Sequence, residues 1–138
     1  MTKIILSPEH IQFISLFAKI TRISARDCII DEKSITFMVT KGNGSRAIGK
    51  QGVNAKRLEN IFKKRIKIVE LNEDLKSFIG NLCYPLKDFE IEEDEGNITI
   101  IGKDTKTKAL LIGRNSQNLQ KLENTAKRYF KFNQIKVK

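Results

Sequence analysis

The stretch Ile48-Gly49-Lys50-Gln51-Gly52-Val53-Asn54-Ala55-Lys56-Arg57-Leu58-Glu59-Asn60 recurs 64 residues later as Ile112-Gly113-Arg114-Asn115-Ser116-Gln117-Asn118-Leu119-Gln120-Lys121-Leu122-Glu123-Asn124. The Ile-Gly pair, the following Asn, the Leu-Glu-Asn triplet and the basic pairs Lys50/Arg114, Arg57/Lys121 and Lys64/Arg128 all fall in register. Two copies of one small domain are therefore expected, at residues 1–70 and 71–138. Each copy sets a short, basic, glycine-bearing turn directly before a helix, an arrangement suited to holding a phosphate chain.

Working outward, units this small have marginal cores. The chain carries 26 Lys plus Arg against 16 Asp plus Glu, a formal net charge of +10. Such an excess favours polyanionic partners, nucleic acid first and an acidic membrane surface second. The first 70 residues hold 14 basic and 6 acidic side chains, a net +8, whereas the remainder hold 12 and 10, a net +2. The first copy thus supplies most of the attraction. No apolar run approaches the roughly 20 residues that span a bilayer, and Met1-Thr2-Lys3-Ile4-Ile5-Leu6 is too short for a secretory signal. A cytoplasmic protein without a membrane partner is expected. Cys28 and Cys83 stand apart in apolar surroundings and His10 is the lone histidine. The cysteines are read as buried small hydrophobes, with no metal, cofactor or small-molecule substrate and no acid, base and nucleophile set for catalysis.

Along the chain, Ser7-Pro8-Glu9 has the form of a helix start, with a helix predicted to about Ile20. Ile11, Ile14, Phe17 and Ala18, flanked by Phe13 and Ile20, give its buried stripe, while His10 reads as a surface or capping residue. Ala25–Ile30 and Ser34–Thr40 read as a hairpin turning at Asp31-Glu32-Lys33, with Ile35, Phe37 and Val39 alternating against Thr36, Met38 and Thr40. A helical turn at Ser45–Ile48 precedes the glycine turn. The next helix is predicted from Val53 to about Arg65, with Leu58, Ile61 and Phe62 facing the core and Lys56, Arg57, Lys63 and Lys64 largely solvated. Ile66–Leu71 closes the unit as a strand.

The second copy repeats this order. Asn72-Glu73-Asp74 caps a helix carrying Leu75, Phe78, Ile79 and Leu82 and ending at Pro85. Phe89–Glu92 and Ile98–Ile101 form the hairpin around Glu95-Gly96-Asn97, and Thr107–Ile112 leads into Gly113. A helix from Gln117 to Tyr129 turns Leu119, Leu122 and Ala126 inward, and Asn133–Val137 closes the unit. With no Ser/Gly/Pro-rich linker between the copies, a stiff tandem is expected.

A glycine at each end of a four-residue turn allows positive φ and lets a sugar-phosphate backbone come close. Helix N–H groups and Lys50 favour a phosphodiester there, and Ile48 offers an apolar floor for bases. Such a cleft accepts splayed single-stranded bases and excludes a duplex. An isolated Gly-x-x-Gly also ends ordinary helices. Here it follows a hairpin, carries basic residues inside and after it, and recurs in register.

Ile48-Gly49-Lys50-Gln51-Gly52 with its flanking elements resembles a KH domain of the prokaryotic, type II topology. The tandem, the opening helix and Arg26-Asp27-Cys28-Ile29-Ile30-Asp31 resemble the short archaeal form of the NusA family of transcription termination and antitermination factors. The resemblance covers nearly the whole chain. It implies an α+β fold of two tandem type II KH domains, each a three-stranded mixed sheet with three helices on one face. It also implies single-stranded RNA as a partner and association with RNA polymerase. Carried onto this chain, Gly49 and Gly52 admit the RNA backbone, Arg46 and Lys50 neutralise phosphate, and Gln51, Asn54 and Arg57 hydrogen-bond sugar or base. Gly113, Arg114, Asn115, Ser116, Asn118 and Lys121 hold the matching places. Ser116 departs from the pattern by standing where a glycine belongs, so weaker RNA binding or a role in setting geometry is expected of the second turn. The chain also has no room for the polymerase-binding and S1 regions of the larger bacterial relatives.

Competing readings remain open. Gly44-Ser45-Arg46-Ala47-Ile48-Gly49-Lys50 fits the nucleotide-binding G-x-x-x-x-G-K, but Gln51 replaces the magnesium-ligating Ser or Thr. Glu90, Glu92, Glu93, Asp94 and Glu95 at a hairpin tip could mimic a metal site and read better as a solvated edge that repels RNA or faces protein. A KH-type module of the ribosome or of RNA processing would share fold and turn. A protein-interaction tandem with vestigial clefts fits the second copy better than the first.

Overall fold

The structure, a computed structural model, describes residues 6–138; the segment read as too short for a secretory signal lies outside the described residues but for Leu6. The chain divides into two compact units, one ending at Asn72 and one beginning at Glu73.

In the first unit α1 (Pro8–Thr21) starts where Ser7 accepts the His10 N–H at 3.3 Å, and Pro8 occupies the first turn, where no donor is lost. Strands β1 (Asp27–Ile30) and β2 (Ser34–Val39) pair antiparallel, with Cys28 opposite Phe37. The chain then runs through α2 (Gly44–Ile48), the glycine turn and α3 (Val53–Phe62) before β3 (Arg65–Glu70) pairs parallel to β2 with Phe37 opposite Ile68. The sheet order is β1-β2-β3. Phe17, Cys28, Ile35, Phe37, Val39, Ala47 and Leu58 make the core, and Phe13, Ile14, Ile20 and Phe62 pack against it. The Phe17 and Phe37 rings stack with centroids 4.3 Å apart, locking α1 to the central strand.

The second unit repeats the plan. Asp74 caps α4 (Leu75–Cys83) by accepting from Ser77 N at 3.0 Å. Strands β4 (Phe89–Asp94) and β5 (Asn97–Gly102) form a hairpin that turns at Glu95 and Gly96, both at positive φ. Then come α5 (Thr105–Ile112), capped by Asp104, the second turn, α6 (Gln117–Lys127) and β6 (Gln134–Val137), parallel to β5. Phe78, Ile79, Ile98, Ile100, Ala126 and Tyr129 are buried, and Tyr129 meets Phe78 edge-on at 5.3 Å. Both units therefore carry a three-stranded mixed sheet with three helices, the two tandem type II KH architecture.

Four expectations change. Ile11 and Ile61, read as core residues, are exposed, because the core needs only the stripe of Phe13, Ile14 and Phe17 on α1 and Leu58 and Phe62 on α3. Helix α3 ends at Phe62 rather than Arg65, since Lys63 turns left-handed at φ 57 and its N–H caps Glu59 O. Lys64, read as solvated, donates to Asp31 O at 2.8 Å and so fastens the β1–β2 turn. Asp74, rather than Asn72, is the cap of α4. Strand β2 is buried at Thr36 and Met38 as well as at the alternate positions, as befits a central strand covered on both faces. Cys28 and Cys83 are buried, as expected.

Candidate nucleic-acid interface

The first turn is built from the end of β2. Asn43 bonds back to Thr40 through its N–H at 3.1 Å and its side-chain amide at 2.7 Å, which launches α2. At the start of α2 the Gly44 N–H donates to Glu70 Oε2 at 2.8 Å. A Cβ on Gly44 would lie 2.6 Å from that oxygen, so glycine is required for the carboxylate to reach. In the G-x-x-x-x-G-K stretch Gly44–Ile48 is helical and the Gly44 N–H is spent on Glu70.

Helix α2 stops at Gly49, whose φ of 84 and ψ of 166 belong to a region only glycine occupies readily. The Gly52 N–H closes the turn onto Gly49 O at 3.0 Å. Gln51 (φ 56, ψ 25) and Gly52 (φ 74, ψ 18) are left-handed. The second turn repeats this conformation with Gly113 (φ 75, ψ 175), Asn115 (φ 54, ψ 32) and Ser116 (φ 61, ψ 22). Ser116 therefore adopts the backbone of Gly52. A Cβ at Gly52 would meet nothing within 4 Å, whereas one at Gly49 would lie 2.9 Å from the Asn54 side chain and 3.1 Å from its backbone N. Within the protein the first glycine is obligatory and the second is replaceable at the cost of left-handed strain, on the order of 1 kcal/mol. The second turn is degenerate in sequence and intact in shape.

Arg46, Lys50, Gln51 and Arg57 are all exposed, as are Arg114, Asn115 and Lys121. Arg46 donates weakly to Asn43 Oδ1 at 3.4 Å and remains at the surface. Between Glu32 and Glu59 the sequence holds six basic residues and no acidic one, so the first turn sits in an unbroken positive stretch. In the second unit the single acid between Glu95 and Glu123 is Asp104, whose carboxyl the Thr107 hydrogen bonds hold below its ordinary value as the cap of α5. Ile48, read in the sequence as an apolar floor for bases, is 39% exposed at the turn. Val53, 49% exposed at the first position of α3, is a second exposed aliphatic side chain by the turn and was missed. Its signal was present: five residues before Leu58, it lies roughly 140° round the helix from the core stripe. At the position of Arg46 the second unit has Leu110, which is also exposed, so its turn has one basic residue fewer.

Asn54 is partly buried and Asn118 exposed, each packed against the first glycine of its turn. The Asn118 side-chain amide donates to Leu110 O at 2.8 Å across the turn. The acidic run Glu92–Glu95 stays exposed along the edge strand β4, and among the described residues no group of His, Cys, Asp and Glu side chains could hold a metal.

No family model matches the chain. Over 145 residues it is 32% identical to the "Probable transcription termination protein NusA" of Methanocaldococcus jannaschii, across 99% of this chain and 76% of the relative. The chain belongs to the archaeal NusA family. The family member of Methanococcus vannielii is 33% identical over 98% of this chain and 80% of its own. That of Halococcus morrhuae is 27% identical, with 98% and 99% covered. Among solved structures, the crystal structure of APE1850 superposes with a TM-score of 0.75 at 27% identity, over 96% of this chain and all of that one.

Proposed function

We propose that this protein binds single-stranded RNA through its two glycine turns and acts in transcription termination or antitermination with RNA polymerase, in the cytoplasm. The observation that carries this reading is one left-handed turn built twice, each time with an exposed basic residue at its second position and another on the helix that follows. A ribose-phosphate strand laid along the first turn meets Lys50 and Arg46 as counter-charges and Arg57 one helical turn further on. Gln51 supplies the hydrogen-bonding amide, and Ile48 and Val53 give bases an apolar surface. In the second turn Arg114, Asn115 and Lys121 take these roles. A flat four-residue turn above two aliphatic side chains has room for one strand and not for a paired helix. The transcription role is supported by the relatives' names, which describe termination proteins.

Neutralising about four phosphates on a single strand gives a log-log salt slope of roughly −3. Fluorescence-anisotropy titration of a labelled single-stranded RNA between about 50 and 200 mM salt reads this slope directly. A slope near zero removes the electrostatic basis of the reading. For the polymerase, co-precipitation of purified archaeal RNA polymerase with and without ribonuclease separates direct contact from contact through RNA.

A further inference from the structure

In each unit an asparagine lies five residues after the first glycine of the turn, and the two are fitted to one another. A Cβ on Gly113 would lie 2.6 Å from Asn118 Cγ, 2.7 Å from its Nδ2 and 3.0 Å from its Cβ. A Cβ on Gly49 would lie 2.9 Å from Asn54 Cγ and Nδ2. The asparagine therefore fills the space that the missing side chain leaves. In the second unit it also bonds: Asn118 Nδ2 donates to Leu110 O at 2.8 Å, while the Gly113 N–H is spent on Ala109 O. Leu110 stands in the last turn of α5, where carbonyls lose their helical donors. Gly113, at ψ 175, swings the chain out of the helix, and the first residues of α6 return a donor from the far side. An aspartate would offer no N–H, and alanine would remove both the contact with Gly113 and the donor to Leu110 O.

We propose that Asn118 is a positioning residue that holds the second glycine turn in its binding shape, and that Asn54 does so for the first turn by packing alone. The Asn118 amide, on an exposed residue, spends an N–H on Leu110 O, and the Asn54 side chain lies against Gly49. The second turn has the greater need. It places two consecutive non-glycine residues, Asn115 and Ser116, at positive φ, against Gln51 alone in the first. The bond across the turn appears in the unit whose turn is harder to hold. This reading depends on RNA binding only for its affinity consequence; the geometry of the turn can be tested without RNA.

The experiment compares the full-length parent with Asn118→Ala, Asn118→Asp and Gly113→Ala, alone and as Gly113→Ala/Asn118→Ala. Amide hydrogen exchange at residues 114–116 is followed by NMR, and affinity by anisotropy with a fluorescein-labelled mixed-sequence single-stranded RNA. Losing one hydrogen bond should speed exchange at the turn about three- to tenfold in both Asn118 variants and weaken RNA binding by a similar factor, while interior amides of β5 and α6 keep their rates. Gly113→Ala should shift the unfolding equilibrium at least about threefold less in the Asn118→Ala background than in the parent, since contacting residues couple. Unchanged exchange at the turn overturns the proposal, whether affinity is kept or lost; loss alone would make Asn118 a direct RNA contact. Additive effects of the two substitutions overturn it as well. If Gly113→Ala does not fold, the Asn118 exchange rates decide. A parent that binds no RNA refutes the proposed function and leaves the exchange result to judge the positioning role.

Discussion

The two glycines of the first turn look equivalent in sequence and should behave very differently when replaced by alanine. Gly52 is at φ 74 and ψ 18, and a Cβ added there would meet nothing within 4 Å. Alanine there meets the left-handed strain of about 1 kcal/mol, offset by about 0.4–1 kcal/mol from the lower entropy of the unfolded chain. The net loss is under about 1 kcal/mol. Gly49 is at φ 84 and ψ 166, where a non-glycine residue costs about 1–3 kcal/mol, and its new carbon would press on Asn54 at 2.9 Å and on the Asn54 backbone N at 3.1 Å. Forcing atoms into a packed place adds about another 1–3 kcal/mol. Gly49→Ala should therefore cost about 2–6 kcal/mol. In a domain of 60–100 residues each kcal/mol lowers Tm by about 4–8 °C, so the melt should fall by more than about 8 °C for Gly49→Ala and by less than about 8 °C for Gly52→Ala. Urea and thermal unfolding followed by circular dichroism measure both. Equal losses at the two positions would refute the assignment of the steric role to the first glycine.

Further outcomes follow from the same structure. Leu58 is fully buried beneath the turn, and Leu58→Ala should destabilise the first unit by about 2–5 kcal/mol in urea titration. Hydrogen bonds from Ser77 and Thr107 lower the Asp74 and Asp104 carboxyls below their ordinary value of 3.8. A depressed folded-state value means that the stabilisation is present above 3.8 and lost as pH falls through the folded value, so the urea midpoint should drop on acidification below 3.8 and drop less in Asp74→Asn/Asp104→Asn. Arg114→Asp/Asn115→Asp should weaken RNA binding less than the corresponding change at Lys50 and Gln51 in a filter-binding titration, because the second unit carries a net +2 against +8. The reverse order would show that shape rather than charge ranks the turns.

Much of this architecture was legible in the chain because its signals are local and repeated. Ser7-Pro8 starts its helix within three residues of itself, and the turn at Gly49 and Gly113 announces itself twice, whereas the caps Asp74 and Asp104 were not singled out. Residues whose fate depends on a partner element were less legible. The helical period brings Ile11 and Ile61 near the apolar stripe, but whether a residue at its margin is covered depends on the width of the facing element, which the period does not encode. Lys64 looked like any solvated lysine because its acceptor, Asp31 O, is 33 positions away in sequence. In the candidate site the exposed Lys50, Gln51, Arg114 and Asn115 were readable from the turn itself. The bond from Asn118 to Leu110 O was not, since the two meet only after the chain reverses at Gly113. At Ser116 the sequence marks a missing glycine, and the backbone holds the serine in the same left-handed conformation.

The most direct measurement is an anisotropy titration of single-stranded RNA, single-stranded DNA and duplex RNA against the parent and Lys50→Asp/Gln51→Asp, with circular dichroism confirming that both remain folded. Because both side chains are exposed, the substitution should spare the fold. RNA held at the glycine turn predicts a preference for the single-stranded RNA and loss of most of that binding in the variant. Equal affinity for all three nucleic acids, or a variant that binds as the parent does, would contradict it and leave only an unspecific attraction of a +10 chain for polyanions.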